Sequence, residues 1–123
     1  MDTQIIQEIQ AVMANYFNGI YEGDISRLEN AFDQKAILYG DINGEPYLKD
    51  LQAYIEGVAH RRSPKEQGED FRMEMISIEV VGNNAIVKAR LPMLGYNYYD
   101  LLSLTRLNGQ WKIVNKLFTH VDV

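Results

Sequence analysis

Ile5, Ile6, Ile9, Val12, Met13, Tyr16, Phe17, Ile20 and Tyr21 recur at three- and four-residue spacing, while Gln4, Gln7, Glu8, Gln10 and Asn15 fill the opposite side. That period predicts one long amphipathic helix, opened by Asp2 and Thr3 and stopped near Gly23. Asp24 and Ser26 suit the start of a short second helix, with Ser26-x-x-Glu29 as a candidate capping box and Ile25, Leu28 and Phe32 on its buried side. Ala36 to Tyr39 and Tyr47-Leu48 read as short strands around a turn from Gly40 to Pro46. Asp50 then opens a third helix with Leu51, Tyr54, Ile55 and Val58 inward, fading before Pro64. Lys65 to Asp70 is polar and reads as a mobile loop.

Beyond residue 70 the period changes to two. Phe71 to Val81 and Ala85 to Met93 predict a hairpin. With Asn83-Asn84 as its turn, Val80/Val87, Ile78/Ala89 and Ile76/Leu91 share an apolar face, and Glu79/Lys88 and Ser77/Arg90 share the other. Pro92 is expected to end or bulge its strand. Two further runs flank Asn108-Gly109, the pair that best suits a two-residue type I′ turn. Strict alternation from that turn pairs Arg106/Trp111, Leu104/Ile113, Leu102/Asn115, Asp100/Leu117 and Tyr98/Thr119 on one side. Thr105/Lys112, Ser103/Val114, Leu101/Lys116, Tyr99/Phe118 and Asn97/His120 fall on the other. Helices that segregate from a run of antiparallel strands make the class α+β. The expected architecture is a curved mixed or antiparallel sheet wrapped around the long first helix, a cone with a central pocket. Residues 1–123 are expected to form a single domain.

Composition narrows the function. The chain has no cysteine, so disulfides and thiolate metal sites are excluded and the cytoplasm is the expected compartment. A net charge of −5 argues against nucleic acid, and the cluster His60-Arg61-Arg62 is too small to reverse that. No stretch is apolar over the length a bilayer demands. His60 and His120, the only histidines, lie in different elements, so no metal site and no cofactor are expected. Nucleophile and phosphate-binding motifs are missing as well. Tyrosine stands out, with eight residues that bury a ring while offering a hydroxyl.

The sharpest candidate is Asp100, which alternation places on the apolar side with Leu102, Leu104, Ile113 and Leu117. A carboxylate among apolar side chains has its pKa raised, as proton transfer beside a carbonyl requires. Three roles stand open for it: base, ligand contact, or a structural group ordering the pocket. Tyr98 is its candidate catalytic partner, with Tyr16 as the alternative proton donor. Tyr16, Tyr39, Tyr54, Leu91, Met93, Tyr98, Asp100 and Asn115 are the expected ligand-binding set, with Ile76 in the apolar floor. Glu74 reads as a second acid, or as a wet strand end, or as the partner of Arg72. Arg106 over Trp111 reads as a cation–π cap on the hairpin tip. On the outer side, Tyr99, Leu101, Val114, Phe118 and His120 form an apolar patch edged by polar groups, the expected interface of a two-fold homodimer.

Three stretches carry a family resemblance: YFNGIYEGDISRLENAF at 16–32, IEVVGNNAIVKARLP at 78–92 and YYDLLSLTRLNGQWKIVNKLF at 98–118. They resemble the nuclear transport factor 2-like superfamily, with its cystatin-like cone fold, and within it the small bacterial family labelled putative lumazine-binding. The resemblance implies a cone with one pocket, commonly paired sheet to sheet. Its relatives include isomerases, dehydratases and cyclases with acids in that cavity, binding modules and transport adaptors. The expected function is therefore binding of an unidentified small molecule. An acid–base enzyme using Asp100 and a protein-interaction or assembly module are the alternatives.

Overall fold

A computed structural model describes residues 2–122. The elements are α1 (Thr3–Glu22), α2 (Ile25–Ala31), β1 (Phe32–Ile42), β2 (Glu45–Asp50), α3 (Leu51–His60), β3 (Glu74–Val81), β4 (Asn84–Met93), β5 (Tyr96–Leu107) and β6 (Gln110–Val121). They follow the order the hydrophobic pattern predicts. Each helix is opened by an aspartate accepting a backbone N–H: Asp2 from Gln4 at 2.8 Å, Asp24 from Arg27 at 3.3 Å and Asp50 from Ala53 at 2.9 Å. The second cap is thus Asp24, and Ser26 lies inside α2 rather than starting it. Gly23 ends α1 with φ 70°, a left-handed cap. Among the described residues no helix is long and apolar enough to cross a membrane.

The six strands form one curved sheet in the order β2-β1-β6-β5-β4-β3. All neighbours are antiparallel except β1 and β6, which run parallel. The sheet wraps α1, whose Ile9, Met13, Tyr16 and Ile20 are buried with Val87, Leu91, Leu102, Leu104 and Ile113 from the strands. Asn108 and Gly109 have φ 51° and 78°, as a type I′ turn requires. Across it Arg106 faces Trp111 with its guanidinium 5.6 Å from the ring, and Leu104 faces Ile113, as expected.

Alternation then fails. Ser103 pairs with Asn115 while Leu104 pairs with Ile113, so Val114 is the extra residue of a β-bulge. Beyond it every pair is displaced by one: Leu102 faces Lys116, Asp100 faces Phe118 and Tyr98 faces His120. The expected pairs of Leu102 with Asn115, Asp100 with Leu117 and Tyr98 with Thr119 are therefore corrected. A one-residue shift exchanges the two faces, so Lys116 and Phe118 turn inward and Leu117 outward.

The other hairpin is corrected at its turn, and its two faces keep their sides. Its turn is Gly82-Asn83, one residue earlier than expected, so Val80 pairs with Ala85 and Ile78 with Val87. A second irregularity lies between Met75 and Ser77. Ile76 is 45 % exposed and is no part of the floor. Glu74 is exposed opposite Arg90 and supplies no second pocket acid. Pro92 neither ends nor bulges β4: it pairs with Asn97, and β3 has already stopped opposite Arg90. The strand has a neighbour on one side only there, where proline is tolerated.

The segment after α3 is tied down by specific bonds. Lys65 N–H donates to the Tyr21 carbonyl, Tyr21 Oη donates to the Glu69 carbonyl, and the Glu69 carboxylate accepts the Leu94 N–H. These bonds hold α1, the post-α3 segment and the β4–β5 turn together around one mouth of the sheet.

Candidate functional site

Asp100 lies in β5 between Tyr98 and Leu102, opposite Ala89 on one neighbouring strand and Phe118 on the other. It is 1 % exposed. Tyr16, carried inward by the apolar stripe of α1 and wholly buried, donates its hydroxyl to Asp100 Oδ2. Lys116, turned inward by the bulge, brings its Nζ to 3.9 Å from the same oxygen. Oδ1 makes no hydrogen bond among the described residues. Tyr54 from α3 comes within 3.5 Å of Lys116 Nζ through its hydroxyl. Nζ also lies 4.8, 5.1 and 5.3 Å from the ring centres of Tyr54, Phe118 and Tyr16. An aromatic cage of that kind offsets part of the desolvation cost of a cation.

Gly40 makes the cage possible. It pairs with Phe118, and a Cβ there would lie 2.5 Å from the Phe118 ring and carbonyl oxygen. The ring therefore lies over bare backbone, with Tyr47 packed edge-on at 4.9 Å between ring centres.

These groups surround a cavity of ≈ 40 Å³ lined by Ile42, Tyr47, Tyr54, Arg61, Leu91, Met93, Tyr98, Asp100, Lys116 and Phe118. It accommodates a few waters or one small polar group, not a bicyclic ring. Burial pushes the Asp100 carboxyl up from its ordinary value, and Lys116 and the Tyr16 hydrogen bond pull it part of the way back. Tyr16 is raised well above a normal phenol, by burial first and then by the Asp100 charge. Burial also pushes Tyr47 to about 12 and raises Tyr98, while the Arg61 guanidinium draws both down.

Of the residues expected at a pocket, Tyr54, Leu91, Met93, Tyr98 and Asp100 line this cavity, and Tyr16 reaches it through Asp100. Two do not. Tyr39 is 48 % exposed and pairs with Leu117 on the outer face. Asn115 turns the same way and donates Nδ2–H to the Ile37 carbonyl at 3.0 Å. Tyr98 makes no bond to Asp100; Tyr16 does. Two residues expected on the outer patch also move. Phe118 lines the cavity, and His120 lies on the Tyr98 side, accepting the Asn43 N–H at 2.8 Å and packing 4.7 Å from the Tyr96 ring. Tyr99, Leu101 and Val114 stay outward, joined by Leu117 at 46 % exposure.

Lys116 and Arg61 are the charged residues that alternation missed. Nothing in the sequence announces the bulge that turns Lys116 inward. Arg61 carried a partial signal: it follows Val58 by three residues, the spacing of the buried stripe of α3, although the helix itself ends at His60. Chemically the site offers a carboxylate with one free oxygen, two cations and phenols on the wall, under burial that strengthens every charge interaction.

The chain matches the family described as "Putative lumazine-binding" over residues 4–119. It is 26 % identical over 119 residues to the aldolase FrzH of a Cladobotryum species, covering 90 % of each chain. Among solved structures it resembles a nuclear transport factor 2-like protein of unknown function from Shewanella baltica, with TM-score 0.88, 19 % identity and 100 % and 98 % of the two chains covered. A similar protein of unknown function from Methylobacillus flagellatus gives TM-score 0.89, 21 % identity and coverage of 99 % and 96 %. A cystatin-like fold protein from Burkholderia xenovorans gives 0.71, 16 % identity and coverage of 99 % and 95 %. With residues 4–119 matched, the chain belongs to the putative lumazine-binding family, and it shares the fold of the nuclear transport factor 2-like and cystatin-like proteins.

Proposed function

We propose that this protein binds a small molecule in the cone pocket, with the ligand's polar end bonded by Asp100. The observation that carries this reading is a buried carboxylate with one oxygen free, set in the wall of a tyrosine-rich cavity. A buried acid is costly unless it is paired, and this one is paired at Oδ2 alone. The ≈ 40 Å³ cavity receives only part of a pteridine-sized ring unless Met93 and Tyr98 swing aside. A compact ligand, or the head group of a larger one, fits better. Native mass spectrometry of the purified protein, before and after denaturation, tests the reading. A released small molecule that Asp100→Asn fails to retain is the expected result; equal retention by the variant would remove Asp100 from the site.

A second reading is acid–base chemistry beside a carbonyl. It is favoured by the raised carboxyl of Asp100 with Lys116 next to it, and by similarity to a protein named as an aldolase. In such a step Asp100 Oδ1 takes a proton from the carbon next to the carbonyl. The C–H bond breaks, an O–H bond forms, and the electron pair moves onto the carbonyl oxygen, where Lys116 offsets the new charge. Deuterium uptake from heavy water into small aldehydes and ketones checks this. Protein-dependent uptake lost in Asp100→Asn supports chemistry, whereas retention of that uptake excludes Asp100 as the base.

The outer face supports pairing of two copies. Leu101, Leu117, Tyr39 and Leu48 are cross-strand neighbours and stand 45, 46, 48 and 61 % exposed. Such a row edged by polar groups suits a self-complementary two-fold interface.

A further inference from the structure

Arg61 is the first residue after α3, with extended backbone at φ −98° and ψ 158°. Its side chain turns back into the cavity wall. Its Nε and Nη2 are shielded from solvent and have no hydrogen-bond partner among the described residues. Those two nitrogens form one edge of the guanidinium, where two N–H bonds run parallel. A carboxylate, with two oxygens at matching separation, satisfies that edge completely. Leaving it bare is expensive, because a buried donor on a charged group loses water and gains nothing in return.

Charge on the wall points the same way. Among the lining residues Arg61 and Lys116 are cations and Asp100 is the only carboxylate. Asp100 lies near Lys116 at 3.9 Å and has no ion pair to Arg61 within 4.0 Å. One positive charge is therefore uncompensated by any carboxylate on the wall. The ≈ 40 Å³ of free space matches a carboxylate head group, with the rest of the ligand at the mouth.

We propose that Arg61 is the anchor for a carboxylate, so that the pocket's ligand is a small organic monocarboxylate held by the Nε/Nη2 edge. This rests on the pocket reading above and specifies its ligand class, with Asp100 meeting the acid in its protonated form as a donor from Oδ1, since two ionised carboxylates have no proton to share. The test uses acetate and pyruvate beside acetamide and pyruvamide, titrated into labelled protein and followed at the Arg61 Nε–H and the Met93 methyl resonances. The expected result is saturable binding of the acids, with the Arg61 Nε–H moving downfield and the amides about tenfold weaker or more, as loss of a charge-assisted bidentate pair implies. Arg61→Gln should erase the preference for acids. Arg61→Lys, which keeps the charge but not the edge, should erase most of it. Acids and amides binding equally would overturn the anchor and leave the pocket standing, as would an unchanged acid preference in both variants. Neither class perturbing Met93 would count against pocket and anchor together.

Discussion

At the scale of single residues, Asp100 behaves differently from an exposed acid. Its carboxyl is raised by burial and drawn back by Lys116 and Tyr16. The folded chain therefore binds this proton more readily than the unfolded chain does. The associated stabilisation is complete below the ordinary value of 3.8 and is lost as pH rises through the raised value. A carbon-13 titration of the Asp100 carboxyl should have its midpoint above 3.8, and a midpoint at or below it would contradict this account. Lys116→Met and Tyr16→Phe each remove a group that favours the charged form, so each should move the midpoint further up. Over the same pH interval the stability of the wild type relative to Asp100→Asn should decline. Gly40 is equally specific. A methyl there meets the Phe118 ring and carbonyl at 2.5 Å, and the carbonyl belongs to the neighbouring strand. Gly40→Ala should cost about 1–3 kcal/mol in denaturant melts, because backbone yields less easily than a side chain.

At the scale of elements, what was legible depended on how far each regular period ran. The α1 stripe, the α3 stripe and the Asn108-Gly109 turn all declare themselves, because 3.6-residue spacing and positive φ leave strong marks. Asp100 was legible for the same reason, because the extra residue lies in β6 and alternation along β5 runs unbroken. The bulge at Val114 left none, and every β6 assignment beyond it was reversed: Lys116 and Phe118 came inward, and Asn115 and Leu117 went out. The Gly82-Asn83 turn misled by one residue because Asn83-Asn84 is nearly as good a turn pair. Parallel pairing of β1 with β6 was invisible, since no local pattern records contacts between segments 78 residues apart. Packing within the legible part is ordinary. Leu102 is fully buried against Val87, and Leu102→Ala should cost about 2–5 kcal/mol.

At the scale of the whole molecule, the two faces of the sheet divide the work. The concave face encloses the acid, the cations and the phenols; the convex face carries the row from Leu101 to Leu48. Leu117→Asp and Leu101→Asp place charge in that row, on the face of the sheet opposite the pocket lining. Light scattering should show a dimer for the wild type and monomers for these variants, with the Arg61 and Met93 resonances unmoved. Equal mass for all three would mean that the row is not where copies meet. Finally, β6 occupies the middle of the sheet between β1 and β5 although it follows every other strand along the chain. On the ribosome, β1 and β2 must wait with one flank open while β3 to β5 assemble apart from them, and only the arrival of β6 joins the halves. The pocket, drawing Lys116 and Phe118 from that strand, comes into being at the same moment, so a nascent chain has no binding site to offer before then.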